Sequence, residues 1–143
     1  MAEKTIRIEF KGYWRDKNKN GLPANSGIYC VYECSRNVSD GTIKILRLIY
    51  IGEAQNVNDR VANHEKYEDW LSYVQHVEEN NELCFSFGGV GATDRARAEA
   101  AMIFKHKPPE NVEYVNDFPF DKTTMSLSGK TSKLEENFTV NRT

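Results

Sequence analysis

Arg60 and His64 stand four residues apart, a spacing that puts two side chains on one helix face. A guanidinium offers planar, paired donors to a phosphate and can neutralise charge that develops on it. An imidazole beside it can take a proton from a tyrosine or give one to phosphate. Glu99 borders the apolar face of an alanine-rich segment, in the row Ala96-Glu99-Ile103, and a carboxylate there must be paired or must bind a cation. One carboxylate, with waters and a substrate phosphate, is typical ligation for Mg²⁺ or Mn²⁺. Tyr29 and Tyr50 fall in consecutive strand-like segments, where the rings can pack while the hydroxyls reach a polar site. With an ordinary pKa near ~10 a tyrosine is a poor base at neutral pH, so it needs a nearby cation to act as one. Asn111 follows Pro108-Pro109 and can fix backbone or a tyrosine hydroxyl. Each residue also has a plainer reading: tyrosines filling core and edge, Arg60 paired with Asp59 or Glu65, His64 closing a helix, Glu99 paired with Arg95, Asn111 capping a loop.

The elements that must position these groups are legible from pattern. Thr5–Phe10 alternates apolar and polar residues, as a strand does. Residues 11–26 are polar, contain Gly21, Pro23 and Asn25, and read as a loop. Residues 27–34 and 44–52 are rich in strand formers and form a hairpin around a 36–43 loop. Asn56, with Asp59 three residues on, predicts a helix N-terminus and a short helix from Val57 to about His64. Tyr67, Trp70, Leu71, Val74 and Val77 predict a longer helix. Leu83–Phe87 is a further strand. A third helix capped by Thr93 or Asp94 runs to Lys107, where Pro108-Pro109 ends it. Beyond it lie a candidate strand at 124–127 and a polar tail. The expectation is an α+β domain with a small, mainly antiparallel, three-stranded central sheet flanked by helices, with extra strands at either end. Residues 1–143 form one domain, with a core at about 26–111 and a C-terminal extension at 112–143.

The bulk numbers fit this. The chain has 143 residues, 39% hydrophobic and 28% charged, enough for a core without metal or disulfide. No apolar run is long enough for a membrane span, and Met1–Thr5 has no signal-peptide core, so a reducing cytoplasm is the expected compartment. Cys30, Cys34 and Cys84 are odd in number, lack metal-ligand spacing and read as packing residues. The net charge of −2 does not favour nucleic acid, but basic residues gather at 95–107 and 122–133.

Gly27-Ile28-Tyr29 and Tyr50-Ile51-Gly52, on consecutive strands, resemble the two signatures of the GIY-YIG nuclease family. The resemblance continues in order through Asn56-Val57, Arg60, His64, Glu99 and Pro108-Pro109-Glu110-Asn111. It implies a metal-dependent DNA endonuclease with Tyr29, Tyr50, Arg60, His64, Glu99 and Asn111 in its active site and Glu99 holding a single Mg²⁺ or Mn²⁺. Water, helped by a tyrosine, would attack phosphorus. Glu53-Ala54 departs from the family pattern, in which Lys, Ser or Thr is frequent. Lys105, Lys107, Lys122 and Lys130, with Lys133 and Arg142, are candidates for DNA backbone contacts. A nucleic-acid-binding module with weak catalysis is the rival reading, and a pure protein-interaction domain a third.

Overall fold

The computed structural model describes residues 2–74 and 80–143. Six strands form one sheet: β1 (Lys4–Arg15), β2 (Gly27–Arg36), β3 (Ile43–Ala54), β4 (Asn81–Gly89), β5 (Thr123–Gly129) and β6 (Asn137–Val140). Their order across the sheet is β3-β2-β4-β1-β5-β6. The β1–β5 pair is parallel and the other neighbours are antiparallel. The expected fold, a small three-stranded sheet flanked by helices, is therefore corrected: the architecture is a six-stranded mixed sheet curled into a half-barrel, with few helices.

Two segments account for the difference. β1 continues through residues 11–15, read from sequence as loop, because its far half pairs with β4. Alternation fades there because Tyr13, Trp14 and Arg15 are all only half-buried. A single 3₁₀ turn, Asp16–Gly21, follows. At the other end the polar tail hides β6, only four residues long, with Phe138 and Val140 turned inward. It pairs with β5, which pairs with β1, so the terminal strands belong to the main sheet.

The helices depart from their expected bounds. α1 spans Val57–Ala62, and the Asn56 side chain caps it by accepting from the Asp59 N–H. α2 spans only Tyr67–Leu71; Ser72–Val74, expected as helix, are turn, and the remainder of the expected continuation, 75–77, lies outside the described residues. α3 spans Ala92–His106; Gly91, rather than Thr93 or Asp94, is its N-cap. It ends on Lys107 in the left-handed region, whose N–H donates to the Ile103 carbonyl at 2.7 Å, just before the proline pair. Among the described residues no helix is long and apolar enough to cross a membrane.

Strand alternation sorts the core into two layers. Ile28, Cys30, Tyr32 and Cys34 of β2 face α3, together with Ile6, Ile8 and Phe10 of β1. Tyr29 and Val31 face the other way, with Phe85 and Phe87 of β4, Val57 and Val61 of α1, and Trp70 of α2. The reading of all three cysteines as packing thiols is also corrected. Cys34 and Cys84 form a disulfide between β2 and β4, and Cys30 is free and buried. No sequence spacing announces that pairing; it follows from the register that sets Tyr32 opposite Cys84 and Cys34 opposite Glu82.

Candidate functional site

The hairpin of β2 and β3 places the two phenols. Tyr29 lies opposite Gly52 and Val31 opposite Tyr50, so both tyrosines project from the same face, with ring centroids 6.2 Å apart. Gly52 makes this arrangement possible. A Cβ built there would fall on Cζ and Oη of Tyr29, so only glycine lets the Tyr29 ring lie across β3. Tyr29 is 1% exposed, whereas Tyr50 is half-buried and is the phenol with access to solvent.

Val57 and Val61, both buried, anchor α1 on this face and bring Arg60 and His64 over the tyrosines. His64 lies two residues past the end of α1 and is buried. Its ring centroid is 4.4 Å from Trp70 and 5.5 Å from Tyr50. The N–H of Lys66 donates to Nδ1 at 3.0 Å, which leaves the proton of the neutral ring on Nε2. Nε2 lies 2.9 Å from Tyr29 Oη, so His64 donates to Tyr29 and cannot take its proton in this state. Burial, and secondarily the Arg60 charge, push the His64 pKa down to about 4, which keeps the ring neutral. Burial raises both tyrosine pKa values, and the Arg60 charge opposes the rise.

The Arg60 guanidinium is engaged by Glu65, Nη1 at 2.7 Å from Oε2 and Nη2 at 2.8 Å from Oε1. That pairing is one of the plainer alternatives weighed for Arg60. Beside Arg60 lies an open cleft of about 350 Å³ lined by Ala54, Gln55, Asn56, Asp59 and Asn63.

Glu99 comes from α3, in the other layer, and is partly buried. Arg95, its expected partner, instead pairs with Glu53 and donates to Ser26 Oγ at 2.9 Å. This disposes of the charge of Glu53, the residue that departs from the signature pattern. Among the described residues Glu99 makes no salt bridge, and the group that favours its charged form is the Glu53 backbone N–H. Burial, with repulsion from Glu53 and Glu113, lifts its pKa to about 7. Its charge also raises the pKa of Tyr29, Tyr50 and Tyr114, so it is not turned away into bulk solvent. No group of three His, Cys, Asp or Glu poised to hold a metal occurs among the described residues. A Mg²⁺ held by one carboxylate, waters and substrate oxygens needs no such group, and a half-buried acid with acidic neighbours is suited to receive a cation.

Asn111 touches neither phenol. Its Oδ1 accepts from the Ile51 N–H and its Nδ2 donates to the Ile51 carbonyl, both at 2.9 Å, so it holds β3 between Tyr50 and Gly52. The candidate lysines lie elsewhere. Lys105 and Lys130 border a groove of about 1180 Å³ at the end of α3, which shares no residue with the Arg60 cleft. Lys107 donates to the Val115 carbonyl, and Lys122 faces Glu3. In the basic 95–107 stretch, Arg97 is buried and bonded to Thr123 Oγ1 and three backbone carbonyls. The sequence offers Glu65 as a partner for Arg60, the contact it makes; Trp70 reads from sequence as a packing position, and sequence reasoning missed Glu113 and Tyr114 beside Glu99.

No family model matches the chain, and comparison with curated proteins and with solved structures finds no match.

Proposed function

We propose that this chain is a divalent-metal-dependent DNA endonuclease of the GIY-YIG type, hydrolysing phosphodiester bonds. The observation that carries the reading is the convergence of Tyr29, Tyr50, His64 and Arg60 on one face, with an unpaired acid, Glu99, within electrostatic reach of both phenols. A bound Mg²⁺ or Mn²⁺ at Glu99 would supply Lewis-acid stabilisation of the leaving oxygen.

The chain's own residues supply the remainder. The Lys66 N–H fixes the His64 tautomer, and His64 donates to Tyr29. Tyr50 is the more accessible phenol, and the Arg60 charge opposes the rise that burial imposes on its pKa, as a cation beside a phenol does. Tyr50 is accordingly the group that steers or activates water, and Tyr29 and His64 are positioning residues. Arg60 neutralises charge on the phosphoryl group.

Incubation of the protein with supercoiled plasmid and Mg²⁺ or Mn²⁺ tests this. Nicking is expected, and Glu99→Ala and Tyr50→Phe should abolish it. Binding without cleavage of duplex, flap, bubble and RNA substrates would refute the enzymatic reading. It would leave the second one, a nucleic-acid-binding module, which the engagement of Arg60 by Glu65 favours.

A further inference from the structure

The Arg60–Glu65 pair has the form of the contact that Arg60 would make with a phosphate. Two parallel N–H···O bonds join a planar guanidinium to a two-oxygen anion, the fork geometry shared by carboxylate and phosphodiester. The partners differ in how firmly they are held. Arg60 is carried on α1, whose Val57 and Val61 are locked in the core. Glu65 follows the helix and its side chain is 67% exposed; besides Arg60, its carboxylate lies near its own backbone N–H and, at 3.9 Å, His64 Nδ1. That nitrogen already accepts from the Lys66 N–H and carries no proton to share. Among the described residues Arg60 is thus the one side chain that holds the carboxylate, which can swing into solvent by side-chain rotation. The guanidinium it would uncover lies within electrostatic reach of Tyr29, Tyr50 and His64.

We infer that Glu65 is an internal stand-in for substrate: its carboxylate occupies the anion seat of Arg60 and must be displaced by a phosphodiester oxygen pair before that group can enter the site. The inference rests on the nuclease reading and adds to it a residue that sets affinity. Glu65 keeps Arg60 oriented while the site is empty and competes with weakly bound anions. A polyanionic backbone, held at several points, overcomes it, whereas a free phosphate does so poorly.

The test is binding without metal, so that cleavage does not enter. A fluorescent duplex oligonucleotide is titrated at fixed low salt into wild type, Glu65→Gln, Arg60→Ala, and the double variant. Glu68→Gln, an exposed acid on α2, controls for the change in net charge. The Arg60 Nε–H resonance is followed in parallel. Exposed ion pairs are weak, so the expected gain for Glu65→Gln is about two- to fivefold in affinity. Glu68→Gln should give clearly less. Arg60→Ala should bind weakly, and adding Glu65→Gln to it should restore nothing. In wild type the Arg60 resonance should shift on titration, and in Glu65→Gln it should shift at lower oligonucleotide concentration. Equal gains for Glu65→Gln and Glu68→Gln, or a gain that survives in the double variant, would overturn the stand-in role. If Arg60→Ala loses binding while Glu65→Gln is unchanged, the stand-in fails and the nuclease reading stands. Binding that is indifferent to Arg60 removes both.

Discussion

Replacing Glu99 by glutamine should make the metal-free protein more stable at pH 8, although it removes the central acid of the proposed site. The carboxyl has a pKa raised from 4.5 to about 7. At about 1.4 kcal/mol per tenfold change in proton affinity, its ionisation in the folded state costs roughly 3 kcal/mol. The sign follows from linkage: an acid whose folded pKa exceeds its unfolded value contributes its full stability below about 4.5, and that stability is lost as pH rises through about 7. Glutamine keeps the size and removes the ionisation, so Glu99→Gln should gain up to roughly 3 kcal/mol at pH 8 and almost nothing at pH 4.5. For a chain of this length that is about 5–10 °C in Tm. Thermal melts of both proteins in EDTA, at several pH values between these limits, measure it directly. With Mg²⁺ or Mn²⁺ added at pH 8, wild type should recover stability in proportion to occupancy, and the variant should not respond. A stability difference independent of pH, or a variant less stable at pH 8, would refute the reasoning, because Glu99 would then be solvated or paired.

Other outcomes follow from the same structure. His64, with its pKa lowered to about 4, acts with the opposite sign to Glu99. Its contribution is intact above the ordinary histidine value and is lost as pH falls toward 4, roughly 3 kcal/mol in all. Urea midpoints in the Glu99→Gln background should show that acid slope, and His64→Gln should flatten it. Gly52→Ala should evict the Tyr29 ring, at an overpacking cost of about 1–3 kcal/mol, and should abolish nicking as Tyr50→Phe does. Retention of the His64–Tyr29 hydrogen bond in its imidazole NMR spectrum would contradict this. The Cys34–Cys84 bond closes a loop of sequence separation 50, for which chain entropy gives roughly 4 kcal/mol. Dithiothreitol should lower the urea midpoint of wild type by that order and leave a Cys34→Ala/Cys84→Ala variant unmoved.

The site was more legible in the sequence than the fold that carries it. His64, two residues past α1, reaches the phenols from the turn after the helix and not by helical spacing, whereas Tyr29 and Tyr50 share a face because strand alternation is a local rule that their segments obeyed. Asn56 announced its cap through short-range chemistry for the same reason. What failed was non-local. The continuation of β1 past Phe10 depends on β4, some 75 residues away in sequence, and no period within residues 11–15 encodes that partner. β6 is too short for its alternation to stand out in a polar tail. Arg95 lies four residues before Glu99, which suggests a helical pair, but the fold brings Glu53 closer and takes the guanidinium away. The disulfide was missed because a bridge between adjacent strands depends on register, which composition does not reveal.

The clip that Asn111 places on Ile51, with the Glu110 N–H donating to the Ile49 carbonyl, reaches beyond the site. β3 is the last strand on its side of the sheet, and a bare margin of that kind invites a foreign strand. By saturating it at Ile49 and Ile51, a four-residue loop turns a sticky border into a sealed one where the second signature lies. A foreign strand is left the earlier half of β3, before Ile49, and β6, which at four residues offers a poor template.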